Sequence, residues 1–219
     1  AKGSLMKKQL VLGLFVVSSC LQLTASDNSS WVRPAMLLGA TTAGEIAIGA
    51  GEEGVAYEEA ISGMLFDLDK SAFAIKQFDV PNTKSFEAGE AAGTWGKEVF
   101  INPAFIILVS GLGSDGEAVV NGMVKGVGSD TIPIYGGLAG DNGAFKETMV
   151  YSKEGVNSGG LIAMVIDADK IELDGLASSG WVASGSVKKV TKASGNIVYS
   201  IDNTPALDFY LERLEISEE

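Results

Sequence analysis

The sequence predicts an α/β fold built from two internal β-α-β-β-β repeats, forming packed mixed β-sheets with the helices on the outside. Three observations predict it. Two glycine turns, Gly39-Ala40-Thr41-Thr42-Ala43-Gly44-Glu45 and Gly136-Gly137-Leu138-Ala139-Gly140-Asp141, each follow a proline and a short apolar run, and Gly44 and Gly140 stand 96 residues apart. Ser62-Gly63 and Ser158-Gly159 repeat at the same spacing, each leading into an apolar run, so two matches share one offset as an internal duplication requires. Glycine is also in excess, 28 of 219 residues against a usual share of about 7%. The excess gathers at strand ends, where a missing Cβ lets backbone approach a ligand or another backbone.

Taken in order, residues 1–5 precede the first methionine and are read as extraneous to the fold. Met6-Lys7-Lys8, the apolar run Leu10 to Val17 and then Ser18-Ser19-Cys20 have the outline of a lipoprotein signal. The same run also fits a buried strand, Gln9 to Ser18, and the matching texture of Phe105 to Ser110 in the second half favours the strand. It is too short to span a bilayer. Cys20 to Arg33 is polar in its middle and barely long enough for a parallel crossover. Strands follow at Ala35–Gly39, at Val55–Leu68 with a bulge near Gly63, and at Ala72–Val80, where Pro81 stops the run.

A helix is predicted from about Ser85 to Val99. Ala88, Ala91, Ala92, Trp95 and Val99 share one face, and Gly89, Gly93 and Gly96 form an adjacent stripe. A mid-helix glycine costs about 1 kcal/mol, so three in line point to close packing against a sheet or a helix. The second half opens with a strand at Phe105–Ser110. A helix to about Val127 follows, with Val119, Val120, Met123, Val124 and Val127 on its apolar face. Strands at Ile132–Tyr135, Glu147–Ser152, Gly160–Ile166 and Glu172–Ser178 complete it. The tail reads as a hairpin, Val187–Thr191 with Ile197–Ile201, turning at Ser194-Gly195. A last helix starts at Thr204-Pro205, a hydroxyl cap followed by proline, with Leu207, Tyr210, Leu211 and Leu214 as its buried face. Residues 1–219 are read as one domain, with repeat one at about 9–100 and repeat two at about 105–214.

Composition narrows the function. A net charge of −12 argues against nucleic acid and anionic membrane as partners, since both need a basic face. With no histidine and one cysteine, histidine-ligated metals, histidine-based triads and intrachain disulfides are excluded. Gly111-Leu112-Gly113-Ser114-Asp115-Gly116 has the spacing of a dinucleotide loop. However, the ribose-binding acid expected about 20 residues on is missing, and Asp115 and Glu117 put negative charge where a pyrophosphate would dock. Ser114 with Glu117 reads better as a capping box. No cofactor and no metal are expected; Asp67, Asp69, Asp167 and Asp169 form two D-x-D pairs that read as solvated turns.

The glycine turns carry the functional reading. Gly136, Gly137 and Gly140 expose backbone N–H groups suited to a carboxylate. Glu45 and Asp141, equivalent in the two repeats, are suited to an ammonium group. Thr41 and Thr42 add hydroxyls. A site offering both charges fits a zwitterion such as an amino acid; the plainer reading is that the glycines shape tight turns and the carboxylates cap backbone. Thr41, Thr42, Ser110 and Ser114 are weak nucleophile candidates, each without a histidine.

The stretches Gly39–Glu45, Gly111–Glu117, Pro133–Asp141, Ser178-Ser179-Gly180-Trp181, Val190–Ala193 and Pro205-Ala206-Leu207, in that order, resemble the N-terminal domain of the FIST family (F-box and intracellular signal transduction proteins). The resemblance implies a cytoplasmic sensory domain that binds small ligands such as amino acids and controls an attached or partner signalling module, with no established catalytic residues. A companion C-terminal domain and an output domain would lie beyond this chain. Two readings stand beside it: a hydrolase or transferase using a loop hydroxyl, and a purely structural or dimerisation fragment, for which a homodimer would be the partner.

Overall fold

Apolar runs in this chain are continuous where a strand is covered on both faces and alternating where it is not, and this difference sorts the sheets. The computed structural model describes residues 8–11, 37–47, 55–57, 61, 68–80, 84–177, 182–183 and 185–214. The chain divides into two compact units, residues 1–176 and 177–219. The expected crossover at 20–33, Ser62-Gly63, Cys20, Trp31 and Trp181 lie outside the described residues.

In the first unit the strands are β1 (Lys8–Val11), β2 (Leu38–Ala40), β3 (Glu45–Ala47), β4 (Val55–Tyr57) and β5 (Phe73–Asp79). They are followed by helix α1 (Ser85–Val99), β6 (Pro103–Val109), α2 (Gly116–Val127), β7 (Ile134–Leu138), β8 (Val150–Ser152), β9 (Gly155–Asn157), β10 (Gly160–Asp167) and β11 (Ile171–Asp174). The central sheet has the order β5-β10-β6-β7. It is mixed: β10 runs antiparallel to β5 and β6, whereas β7 runs parallel to β6 after the α2 crossover. Smaller sheets pair β1 with β11, β2 with β8 and β9, and β3 with β4.

The side chains of β6 and β10 are buried on both faces, as their unbroken apolar sequences require. Phe105, Ile107, Val109, Leu161, Ala163 and Val165 meet Ala88, Ala92, Val119, Met123 and Val127 of the helices. On the opposite face Ile106, Met164 and Ile166 pack on Ile171 and Leu173, and Leu108 and Ile162 pack on Ala40 and Val150. The layers are therefore helices, central sheet and outer strands, the α/β class with mixed, packed sheets that the sequence predicts.

Helix α1 occupies the predicted span, but its buried face is the glycine stripe, Gly89, Gly93 and Gly96 with Ala88 and Ala92. Ala91 and Val99 turn outward. The reason is the neighbour: α2 comes close enough that only the glycine side of α1 can face it. Helix α2 is capped by Asp115, whose carboxylate accepts the Ala118 N–H at 3.0 Å, so the cap lies one residue after the expected Ser114. At its other end Gly128, at φ 75°, closes the helix. The expected glycine loop at 136–137 is a strand: Gly136 and Gly137 pair with Ile107 and Leu108.

The second unit holds β12 (Val190–Ser194), β13 (Ile197–Ile201), β14 (Thr204–Pro205) and α3 (Ala206–Leu214) in a sheet of order β12-β13-β14 with its helix. The expected hairpin is present, with Ser194 paired to Ile197, so its turn is Gly195-Asn196, one residue beyond the expected Ser194-Gly195, and its first strand is β12 rather than Val187–Thr191. Thr204-Pro205 instead forms a short strand after Asp202 and Asn203, both at positive φ, the backbone of a primed two-residue turn. On α3, Leu207 and Tyr210 are more than half exposed, correcting the expected buried face; Ala206, Phe209 and Leu211 are its half-buried positions.

Candidate functional site

Thr41 follows β2 and extends its pairing with the strand partner. Its N–H donates to the Met149 carbonyl at 2.8 Å, and its hydroxyl oxygen accepts the Met149 N–H at 2.9 Å. Thr42 Oγ1 accepts the Gly44 N–H at 3.2 Å, a bond two residues along the chain of the kind that short hydroxyl side chains make in turns. Both threonines are buried.

The two predicted turns meet directly. Gly140 N–H donates to the Thr41 carbonyl at 2.9 Å. A Cβ at Gly140 would lie 2.8 Å from the Ala43 nitrogen, so no larger residue fits without moving the first turn. Beyond Gly140, the Asp141 carboxylate draws in its own loop: Oδ2 accepts the Lys146 N–H at 2.7 Å and the Glu147 N–H at 3.3 Å. These backbone donors, Lys146 first, hold its pKa below the ordinary carboxylate value. Glu45 opens β3 opposite Tyr57 of β4, whereas Asp141 stands in a turn, so the two carboxylates differ in local backbone.

Under the junction lies a polar knot that sequence reasoning missed. Ser110, fully buried at the end of β6, binds the Thr148 carbonyl at 3.2 Å, the Thr148 hydroxyl at 3.0 Å and the Ser158 carbonyl. Thr148 Oγ1 also accepts the Leu112 N–H at 3.0 Å. A buried hydroxyl keeps its place only when such partners satisfy it. Ser110 was singled out as a weak nucleophile; it is sealed from solvent. Asp69, Asp167 and Asp169 serve turns, binding Ser71 N–H, Lys170 and Asn102 respectively.

Of the three glycines expected to present N–H groups, Gly140 uses its own on Thr41 and Gly137 lies in the ladder with β6. Gly136, at φ 147°, is exposed, and a Cβ there would collide with the Ile107 carbonyl. The structure thus joins Thr41, Thr42, Gly140 and Asp141 at one junction and sets Gly136 and Gly137 apart, in the edge strand.

Residues 12–204 match the FIST N domain, which is most of the chain. The chain belongs to the FIST family. FIST domains are sensory domains of signal transduction. Over 85 residues this FIST domain is 38% identical to an uncharacterized protein of Methanocaldococcus jannaschii, a stretch that is 38% of this chain and 16% of that protein. The chain accordingly matches only a small part of its relative's length. No solved structure matches it. Among the described residues, no helix is long and apolar enough to cross a membrane, and no cluster of three or more metal-binding side chains forms.

The FIST domain also carries a groove of about 140 Å³ between β6, β7 and the start of α2. Ile107, Val109, Val120, Ile134 and Leu138 give it aliphatic walls, and Gly116, Gly136 and Gly137 leave backbone along its floor. The signal for it was present in sequence as the paired glycines, read there as a loop.

Proposed function

We propose that this FIST N domain senses a small polar metabolite, of which an amino acid is the first class to test, at the junction of its two glycine turns. The observation that carries this reading is the bond from Gly140 N–H to the Thr41 carbonyl. It ties two segments far apart in sequence into one polar junction, so a ligand seated there acts on both at once. Asp141, kept ionised by its loop's backbone donors, and Glu45 hold the ligand's ammonium group. Thr41 and Thr42 line the site, and Gly136 and Gly137, set apart in β7, take no part in it. Binding shifts the population of junction conformations, and an attached or partner signalling domain reads the shift.

The test is a thermal-shift screen of the 219-residue chain against the standard amino acids, repeated on Asp141→Asn and Glu45→Gln. At about a hundred times Kd a ligand adds about 2.7 kcal/mol of stability. The expected result is one or more amino acids that raise Tm, with the ligand-induced increment lost in both variants. Each variant is compared with its own ligand-free Tm, because Asp141→Asn alters the loop by itself. Absence of any shift, or equal increments in wild type and variants, refutes the reading.

A further inference from the structure

β7 is the last strand of the central sheet among the described residues, and its pairing shows which backbone groups are left over. Phe105 N–H donates to the Pro133 carbonyl at 2.8 Å, and Ala139 N–H donates to the Val109 carbonyl at 2.7 Å. Residues 133 and 139 therefore turn their polar backbone groups toward β6. Because strand backbone alternates, Tyr135 and Gly137 do the same, and Ile134, Gly136 and Leu138 present theirs to the open side. Gly136 has no side chain to shield them, and Leu138 is 51% exposed.

Natural sheets guard such edges with lysine, proline or a bulge. Ile134, Gly136 and Leu138 supply no charge and no proline, and the β6–β7 register runs without a bulge. Alongside lies the aliphatic groove, wide enough for a single apolar side chain. Its surroundings are acidic. Gly116, on the groove floor, sits between Asp115 and Glu117. Among the described residues, no lysine or arginine lines the groove or adjoins a lining residue in sequence.

We propose that the open edge of β7 receives an extended segment of a partner protein as an added strand, with an apolar side chain in the groove and lysine or arginine residues facing the acidic rim. Strand addition uses main-chain bonds for affinity and side-chain pockets for selectivity, and this edge has both. A second copy of the chain would bring another surface of net charge −12, so the rim selects a basic partner. The edge lies outside the Thr41–Asp141 junction, and its docking does not depend on a metabolite binding there.

The test is fluorescence anisotropy of the 219-residue chain with two labelled hexapeptides, one alternating lysine with valine and one alternating glutamate with valine. The lysine peptide is expected to bind at least about tenfold tighter, and added salt to weaken it. On binding, the amides of Gly136 and Leu138 gain protection from hydrogen exchange. Leu138→Lys, at an exposed position, and Glu117→Lys, which reverses rim charge and leaves the edge intact, each weaken binding by about tenfold; Ala91→Lys, on the outer face of α1, does not. Equal binding of the two peptides, no protection at Gly136 and Leu138, or indifference to both substitutions overturns the proposal. A dimer in sedimentation that Leu138→Lys dissociates also overturns it, assigning the edge to a second copy.

Discussion

A methyl group added to Gly93 of α1 would stand 2.9 Å from the Met123 Cα of α2. The relationship is reciprocal along the pair: a Cβ at Gly122 would lie 2.8 Å from the Glu90 nitrogen, and one at Gly126 would lie 2.7 Å from the Thr94 nitrogen. The two helices touch backbone to backbone through glycines spaced four apart on each. Overpacking at such a contact forces the backbones to shift. Gly93→Ala and Gly122→Ala are each expected to destabilise by about 1–3 kcal/mol in urea unfolding, despite alanine's better helix propensity. Gly128→Ala, where nothing lies within 4 Å but φ is 75°, is expected to cost about 1 kcal/mol from left-handed strain alone.

The cap of α2 separates the sequence reading from the structure. Asp115→Ala removes the acceptor for the Ala118 N–H and is expected to cost about 1 kcal/mol. Glu117→Ala, which removes the acceptor that a Ser114–Glu117 capping box would need, is expected to change the urea midpoint little. Equal losses in the two variants would restore the box.

Asp141 gives a pH signature. Its folded pKa lies below the ordinary value of 3.8, so its contribution is fully present above that value and is lost as pH falls through the lower folded pKa. Asp141→Asn is expected to be less stable than wild type by a constant amount near neutrality. The gap should narrow only as acid carries the wild type below about pH 4. Thermal melts of both proteins across the acid range check the sign.

Ser110 tests the polar knot. Ser110→Ala takes a partner from the Thr148 and Ser158 carbonyls, both bound by the same hydroxyl, in a fully buried position. A loss of about 1–3 kcal/mol is expected, measured by chemical denaturation. Ser110→Val should cost more, since it adds a methyl group to a filled site and restores no hydrogen bond.

How much of this could be seen in the sequence depended on how local the cause was. The span of α1 and the end of α2 near Val127 were visible because apolar periodicity marks helices within a single window. The strands β6 and β10 were visible as unbroken apolar runs. The face that α1 buries was not, because the glycines and the alanines make adjacent stripes and only the arrival of α2 selects between them. The paired Gly136 and Gly137 looked like a loop, since glycine is a poor strand former; pairing with Ile107 and Leu108 overrides that preference. Thr148 carried no signal at all, being an ordinary hydroxyl residue until Ser110 is placed beside it, and Ser158 stood out only as part of a repeat.

By itself the sequence determined the α/β class, the positions of the long elements and the order of motifs that places the chain in the FIST family, because each is written in neighbouring residues. Only the tertiary structure decided that Thr41 would meet both Met149 and Gly140, that Asp141 would turn inward on its own loop, and that, among the described residues, β7 would be the last strand of the central sheet with a groove beside it. The first of these joins residues about a hundred positions apart, as Thr41 and Met149 are. Contacts at that range are set by which surfaces the packed core brings together, and they leave no periodic trace along the chain.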